Sequence, residues 1–466
     1  MQQAPMRKNN LLAVSIAAVL GLGASGSAFA VNGFQVIGYG EDQVALGGAV
    51  TANPTSAMTA LSNPAGLTMV GQRADFSMEA FMPDVKVDAS DTPFTGGGML
   101  GAGEIRKSKG SLYGIPSIGW VAETSNPNIS FGGGMYATAG LGTEFGTVRL
   151  NSASASTGGL VQDTTLNGFS NVNLFRISPA AGYKVAPNFS IGAALNIYML
   201  QLGFRETLSN TPPNPGTLPP TPAGAADTNF NLGRAGLSYG VGGTIGMMFD
   251  AIPDLVRFGA SYTTKANLQK TKFQLDAGDI NNPAGIVGGD IGSAPAGEYA
   301  AAFDFPQQAA VGLALMPNGP FTLSADVKWI NYEDTLKDFF VTGQGRTYNL
   351  NPGWEDVWVY AVGASFKSGP MRLSAGYNYS DSPVQENFTF ANVLFPAIVK
   401  HHITLGANYQ LGKNWELGGA FQYVPEEKIT GRNDMPESMR PTAGPNSNIT
   451  LSNQITSVGV NLGYRF

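Results

Sequence analysis

The chain has 466 residues, 61 of them glycine, with no cysteine, only two histidines and a formal net charge of −6. The lack of cysteine excludes a disulfide framework and thiolate chemistry. The lone His401-His402 pair argues against a histidine-rich metal site, and the negative charge argues against a nucleic-acid partner. Charged residues, at 13%, are too few for an ordinary soluble surface, yet no later apolar run reaches the roughly 20 residues of a membrane helix.

The first 30 residues read as a secretory signal to be cleaved. Arg7 and Lys8 supply the positive start, Leu11 to Leu22 the apolar run, and Ala28-Phe29-Ala30 the small-residue cleavage site. The mature chain is then expected to open with "VNGFQVIGYG" at Val31, and "LSNPAGL" follows; neither alternates as a strand does. Residues 31–72 nevertheless carry apolar mass to bury, including Val36, Ile37, Val44, Leu46, Val50, Met58, Leu61, Leu67 and Met69. Gly47-Gly48 and the turn Asn63-Pro64-Ala65-Gly66 predict compact, bent backbone.

From Arg73 onward the pattern has period two. In the last segment Val458, Val460, Leu462, Tyr464 and Phe466 share one face, and Gly459, Asn461, Gly463 and Arg465 the other. Strands are expected near 73–82, 113–122, 129–139, 172–185, 189–205, 235–249, 256–275, 303–316, 321–332, 357–366, 371–380, 400–411, 415–424 and 456–466, fourteen in all. Links after even strands are short ("TSNPN", "APN", "DAIPD", "PNGP", "KSGP", "GKN"), and links after odd strands are long. Short turns at one end and long loops at the other define an outer-membrane barrel. In lipid the sheet must close, because an open edge would leave backbone groups unpaired. The expected fold is all-β: a 14-stranded antiparallel transmembrane β-barrel, residues 73–466, in the bacterial outer membrane as a monomer. A lumen of that width needs filling, so residues 31–72 are expected to form a hatch within it.

Trp329, Trp358, Tyr360, Tyr379, Trp415, Tyr423 and Tyr464 fall near strand ends, as interfacial girdles require. Phe466 has the position of a C-terminal aromatic read by barrel-assembly machinery, and lipids with lipopolysaccharide would surround the wall. The loop after the ninth strand holds Phe339 and Phe340, and "NFTFANVLFPAIV" after the eleventh holds Phe388, Phe390, Leu394 and Phe395. Exposed apolar clusters need a partner, so these residues are expected to pack as a lid or to capture a hydrophobic ligand, with Phe34 beside an apolar pocket. The proline-rich "NTPPNPGTLPPTPAG" reads as a stiff loop. Arg176, Arg205, Arg257, Lys328 and Arg372 lie on or near strands, where structural pairing is expected; the ligand stays open between a fatty acid and an uncharged hydrocarbon. In the third strand Gly132-Gly133-Gly134 precede Ala139, Gly140 and Gly142. Glycine weakens a strand and marks bulges, so a break is expected near Ala139–Gly140; alternatively the glycines make room for the hatch.

"GFQVIGYGEDQVALGGAVTA", "SAMTALSNPAGLTMV" and "FGGGMYATAGLGTEFG" resemble the FadL family of outer-membrane transporters of long-chain fatty acids and hydrocarbons. The resemblance implies a fourteen-stranded barrel with a hatch, a hydrophobic small molecule as passenger, and an inward kink in the third strand that opens the wall laterally. It implies no enzyme, cofactor or metal. The competing readings are a diffusion porin for small polar solutes, an adhesive barrel, and a lipid hydrolase. The last has only His401 and His402 to pair with a serine and lacks a G-x-S-x-G turn.

Overall fold

The computed structural model describes residues 31–90, 103–154, 161–211, 227–233, 236–283, 288–316, 319–432 and 448–466. The signal segment, 1–30, and most of the proline-rich loop, 212–226, lie outside the described residues.

Alternation of branched or aromatic residues with Gly, Ser, Thr and Asn suits a wall with lipid on one side and a packed lumen on the other. It produces β1 (Arg73–Asp88), β2 (Tyr113–Glu123), β3 (Ile129–Ser154), β4 (Val161–Ala186) and β5 (Phe189–Thr211). These are followed by β6 (Leu237–Ile252), β7 (Val256–Thr263), β8 (Gln308–Leu315), β9 (Phe321–Ile330) and β10 (Val357–Ser368). The last four are β11 (Met371–Ser380), β12 (His401–Leu411), β13 (Trp415–Arg432) and β14 (Asn448–Arg465). Each strand pairs antiparallel with its sequence neighbour, and β1 pairs with β14 from Arg73↔Arg465 to Asp88↔Thr450, which closes the ring.

Val458, Val460 and Leu462 of β14 point outward and are exposed, whereas Ser457 and Asn461 are buried inward. At the short-turn end Trp415 meets Tyr464, and Tyr464 meets Phe466, with ring centroids 4.7 and 5.0 Å apart. At the long-loop end Trp329 pairs with Trp358 across β9 and β10.

Several boundaries differ from expectation: β1, β5 and β13 run on to Asp88, Thr211 and Arg432, and β14 begins at Asn448. β3 and β4 run 26 residues each, so their link is residues 155–160 rather than 140–171. The extension is rich in Gly, Ser, Thr and Asn because, beyond the bilayer, a ladder can continue without a lipid-facing apolar row. β7 ends at Thr263 and β8 begins at Gln308. Part of what separates them, Thr271–Leu275 and Gly297–Ala301, joins Phe340–Gly343 and Arg346–Asn349 in a small sheet among the long loops.

Residues 31–70 belong to no wall strand and are largely buried against the inward faces of the strands. They form two single helical turns, Glu41–Val44 and Thr59–Ser62, and a 3-10 turn, Pro64–Thr68. The last starts where it does because Asn63 Oδ1 accepts from Ala65 N at 3.2 Å and proline fits the first helical position. Asp326 Oδ2 on β9 accepts from Val50 N and Thr51 N at 2.9 and 2.8 Å. Asn63 Nδ2 donates to Met247 O of β6 at 3.1 Å, and Asn378 Nδ2 of β11 donates to Gly47 O at 2.9 Å. The wall gives way to this segment with glycine. A Cβ at Gly246 would stand 2.0 Å from Asn63 Oδ1, one at Gly192 2.3 Å from Ala65 N, and one at Gly376 2.2 Å from Gly47 N. Inward glycines on these strands let backbone approach backbone, one source of the chain's high glycine content.

Candidate ligand pathway

Above the inner segment, β5 and three loops enclose a narrow apolar cavity of about 40 Å³. β5 contributes Leu202, Phe204 and Glu206 on alternate inward positions. The loop between β9 and β10 contributes Leu336, Phe339, Leu350, Pro352 and Trp354, and the loop between β11 and β12 contributes Ala391 and Phe395. Phe204 sets the aromatic frame, with Phe230 stacked at 5.4 Å and Phe339 and Phe395 edge-on at 5.9 and 5.8 Å. The two loops are locked together by Asn392: its Oδ1 accepts from Trp354 Nε1 at 2.7 Å and its Nδ2 donates to Pro352 O at 2.8 Å.

The tip of the inner segment packs behind two of the lining residues, Phe303 and Trp354. Phe34 is fully buried, ringed by Tyr332, Phe303, Trp354 and Phe305 at 5.3, 5.6, 5.8 and 6.1 Å. Gly33 makes this possible: its φ is +70°, and a Cβ there would lie 2.6 Å from the Tyr332 ring. Tyr332 Oη donates to Asn32 O, tying the tip to the loop. On its other side, Phe34 O accepts from Gly140 N of β3 at 3.3 Å.

That contact falls where the wall is interrupted. The β2–β3 ladder runs from Glu123↔Ser130 only to Ser117↔Tyr136. Pro116, next on β2, has no N–H to offer. On β3 the register against β4 slips between Ala137 and Ala139, with Thr138 as the extra residue and its Oγ1 bonded to Leu174 O at 3.2 Å. Pairing on the β2 side resumes only with Lys109 N to Glu144 O, 2.8 Å, and Glu104 N to Arg149 O, 2.9 Å. Gly140 and Gly142 lie within the unpaired stretch. Gly132 and Gly134 serve the other purpose: a Cβ there would meet Leu67 at 2.7 Å and Leu61 at 2.8 Å, so these two make room for the inner segment.

The other singled-out residues divide. Phe339 and Phe395 line the cavity, and Phe34 packs behind it against Phe303 and Trp354. Leu394 is buried, its carbonyl accepting from Ser170 Oγ at 2.6 Å, and Phe390 is packed in the same core. Phe388 packs beside Gly353, outside the cavity, and Phe340 is half exposed on the small loop sheet. In the apolar run after β11, expected either to pack as a lid or to capture a ligand, Val393, Leu394 and Ile398 are only 1–2% exposed, because the loop folds down onto β3, β4 and the β9–β10 loop. Sequence reading missed Leu202, Phe204, Trp354 and Glu206. For Glu206 the signal was the inward alternation of β5 continuing past residue 205; Leu202 and Phe204 stood on the expected strand, and Trp354 lies in the loop between β9 and β10.

The candidate cations are mostly committed. Arg257 pairs with Asp250, and Arg372 with Asp42 at 3.1 Å and Glu416 at 3.6 Å. Arg205 is turned outward over the Phe169 ring at 5.7 Å. Lys328 lies in a more polar space between the inner segment and β7–β9. Arg176 is fully buried, donates to Leu61 O at 2.7 Å and lies 4.7 Å over the Tyr39 ring.

A closed fourteen-stranded barrel with an apolar face to lipid, a filled lumen and an apolar chamber under its long loops has the architecture of an outer-membrane transport barrel. The family model for outer membrane protein transport protein (OMPP1/FadL/TodX) matches residues 17–466, and the chain belongs to that family. Solved structures with the same fold include the Pseudomonas putida toluene transporter TodX. It is 20% identical, with 94% of this chain and 100% of that one covered and a TM-score of 0.65. The Ralstonia pickettii toluene transporter TbuX is 19% identical, covering 92% and 98%, TM-score 0.59. A Pseudomonas aeruginosa FadL homologue is 17% identical, covering 92% and 99%, TM-score 0.61. None of the curated proteins matches the chain.

Proposed function

We propose that this protein carries hydrophobic small molecules across the outer membrane, taking them up in the cavity beneath the loops and releasing them sideways through the interruption between β2 and β3. The observation that carries this is proximity: Phe34 packs against Phe303 and Trp354, two residues of the cavity lining, and its carbonyl is the hydrogen-bond partner of Gly140 at the unpaired wall. A hydrophobic passenger gains nothing from an exit into water, where its apolar surface would be wetted again. The straight route is also blocked, because residues 31–70 act as a hatch bonded to β4, β6, β9 and β11. Displacing the tip around Phe34 joins cavity to membrane while the rest of the hatch stays seated.

A diffusion porin would present a polar, open lumen, and this one is filled. The toluene transporters among the similar structures favour small aromatic passengers over long chains. Proteoliposomes loaded with a trapping enzyme test the function: labelled toluene or oleate should enter faster than through empty vesicles, and a labelled sugar should not. Equal acceleration of the sugar would make the protein a porin.

A further inference from the structure

Eleven residues line the upper cavity, and ten of them are apolar; Glu206 is the exception. Its place is fixed by the alternation of β5, which sends Leu202, Phe204, Glu206 and Leu208 inward. Arg205, the nearest cation on that strand, is turned outward onto Phe169 and Asn167. Among the described residues no cation and no hydrogen-bond donor reaches the Glu206 carboxylate. The nearby polar groups of the loops are engaged elsewhere: Trp354 Nε1 and Asn392 Nδ2 bond within the Asn392 clamp, to Asn392 Oδ1 and to Pro352 O.

A carboxylate withdrawn from water without a partner is costly, and a donor brought to it removes that cost. A second carboxylate in the same small apolar space meets like-charge repulsion instead. We propose that the cavity selects apolar molecules bearing one hydrogen-bond-donating group, such as the hydroxyl of a phenol or alcohol. The donor bonds Glu206, the apolar body packs against Phe204, Phe339, Phe395 and Trp354, and carboxylates are disfavoured. This rests on the cavity being the uptake site proposed above and narrows what it takes.

The test is equilibrium dialysis of the full-chain protein in detergent micelles against labelled toluene, p-cresol and p-toluate, with protein-free micelles as the blank. It is run at about pH 8.5, where the Glu206 carboxyl, pushed up to about 7 by burial, is ionised and a phenol is still protonated. The three probes share one ring and differ in the group presented to Glu206. A hydrogen bond to a charged acceptor predicts p-cresol binding about tenfold tighter than toluene, with p-toluate weakest. Glu206→Leu should erase the p-cresol preference while toluene binding persists, and the isosteric Glu206→Gln should keep part of it; both should strengthen p-toluate binding. Heat-modifiable gel mobility reports that each variant has folded. Toluene and p-cresol binding alike, or p-toluate binding best, overturns the selectivity while leaving the cavity a ligand site. Binding of none of the three above the blank overturns the selectivity and the uptake site together.

Discussion

Phe34→Ala is the most informative single change. The ring is fully buried and meets four aromatic rings at 5.3–6.1 Å. Truncating such a phenylalanine costs about 3–5 kcal/mol, through lost transfer energy and the cavity left behind. The cost falls on the tip and not on the wall, because the tip's other ties are few: Tyr332 Oη to Asn32 O, and Gly140 N to Phe34 O. Local opening governs amide exchange in such a segment. Losing about 3 kcal/mol should therefore speed exchange over residues 31–40 by roughly 100-fold. Hydrogen–deuterium exchange with mass spectrometry, on protein in lipid nanodiscs, reads this directly. The β1–β14 seam should keep its protection, and toluene entry into proteoliposomes should rise. An unchanged exchange rate at the tip would refute the idea that aromatic packing holds this gate.

Gly246→Ala should unseat the Asn63 turn, because its Cβ would stand 2.0 Å from Asn63 Oδ1; overpacking of this kind costs about 1–3 kcal/mol, and new protease cleavage near residue 63 should report it. Phe395→Asp should weaken toluene binding at least about tenfold, given roughly 1.5–3 kcal/mol for a buried apolar side chain, whereas Phe340→Asp, outside the cavity, should leave it unchanged; equal effects would disconnect the cavity from binding. Burial, with Glu79 and then Asp42 adding to it, holds the Glu41 carboxyl well above its usual range. The docked hatch thus holds a proton that the undocked segment releases, so docking is strongest at low pH and weakens as pH climbs through the raised value. Conductance across planar bilayers should increase with pH in the wild type and lose that dependence in Glu41→Gln; a flat wild-type profile would contradict it.

The barrel was legible because lipid leaves little choice. Once period two and the short–long rhythm of connections are read, closure follows from the cost of an unpaired edge, and the turns after even strands stand where "TSNPN" and "GKN" put them. What did not show was set by contacts without a local signature. β3 and β4 outrun the membrane with polar alternation that resembles loop, so their length was underestimated. The run around Leu394 looks exposed in sequence because nothing local announces Ser170 and Thr143 as partners more than 200 residues away. The wall interruption was placed by its glycines, yet much of it comes from Pro116 on β2 and the extra Thr138, and Gly132 and Gly134 make room for Leu67 and Leu61 of the inner segment instead. Glu206 was hidden because it lies just past residue 205, on the part of β5 that was read as loop.

The claim at the centre is sideways release, and one cross-link tests it. The chain contains no cysteine, so cysteines placed at Gly114 on β2 and Gly140 on β3 form a unique pair, one on each of the two strands that border the unpaired stretch. A short reducible bis-thiol linker between them would tie the wall shut above Ser117 without touching the cavity. Labelled toluene should still bind the linked protein in micelles, its transfer into proteoliposomes should stop, and reductant should restore it. Undiminished transfer with the linker fully formed would contradict the lateral route.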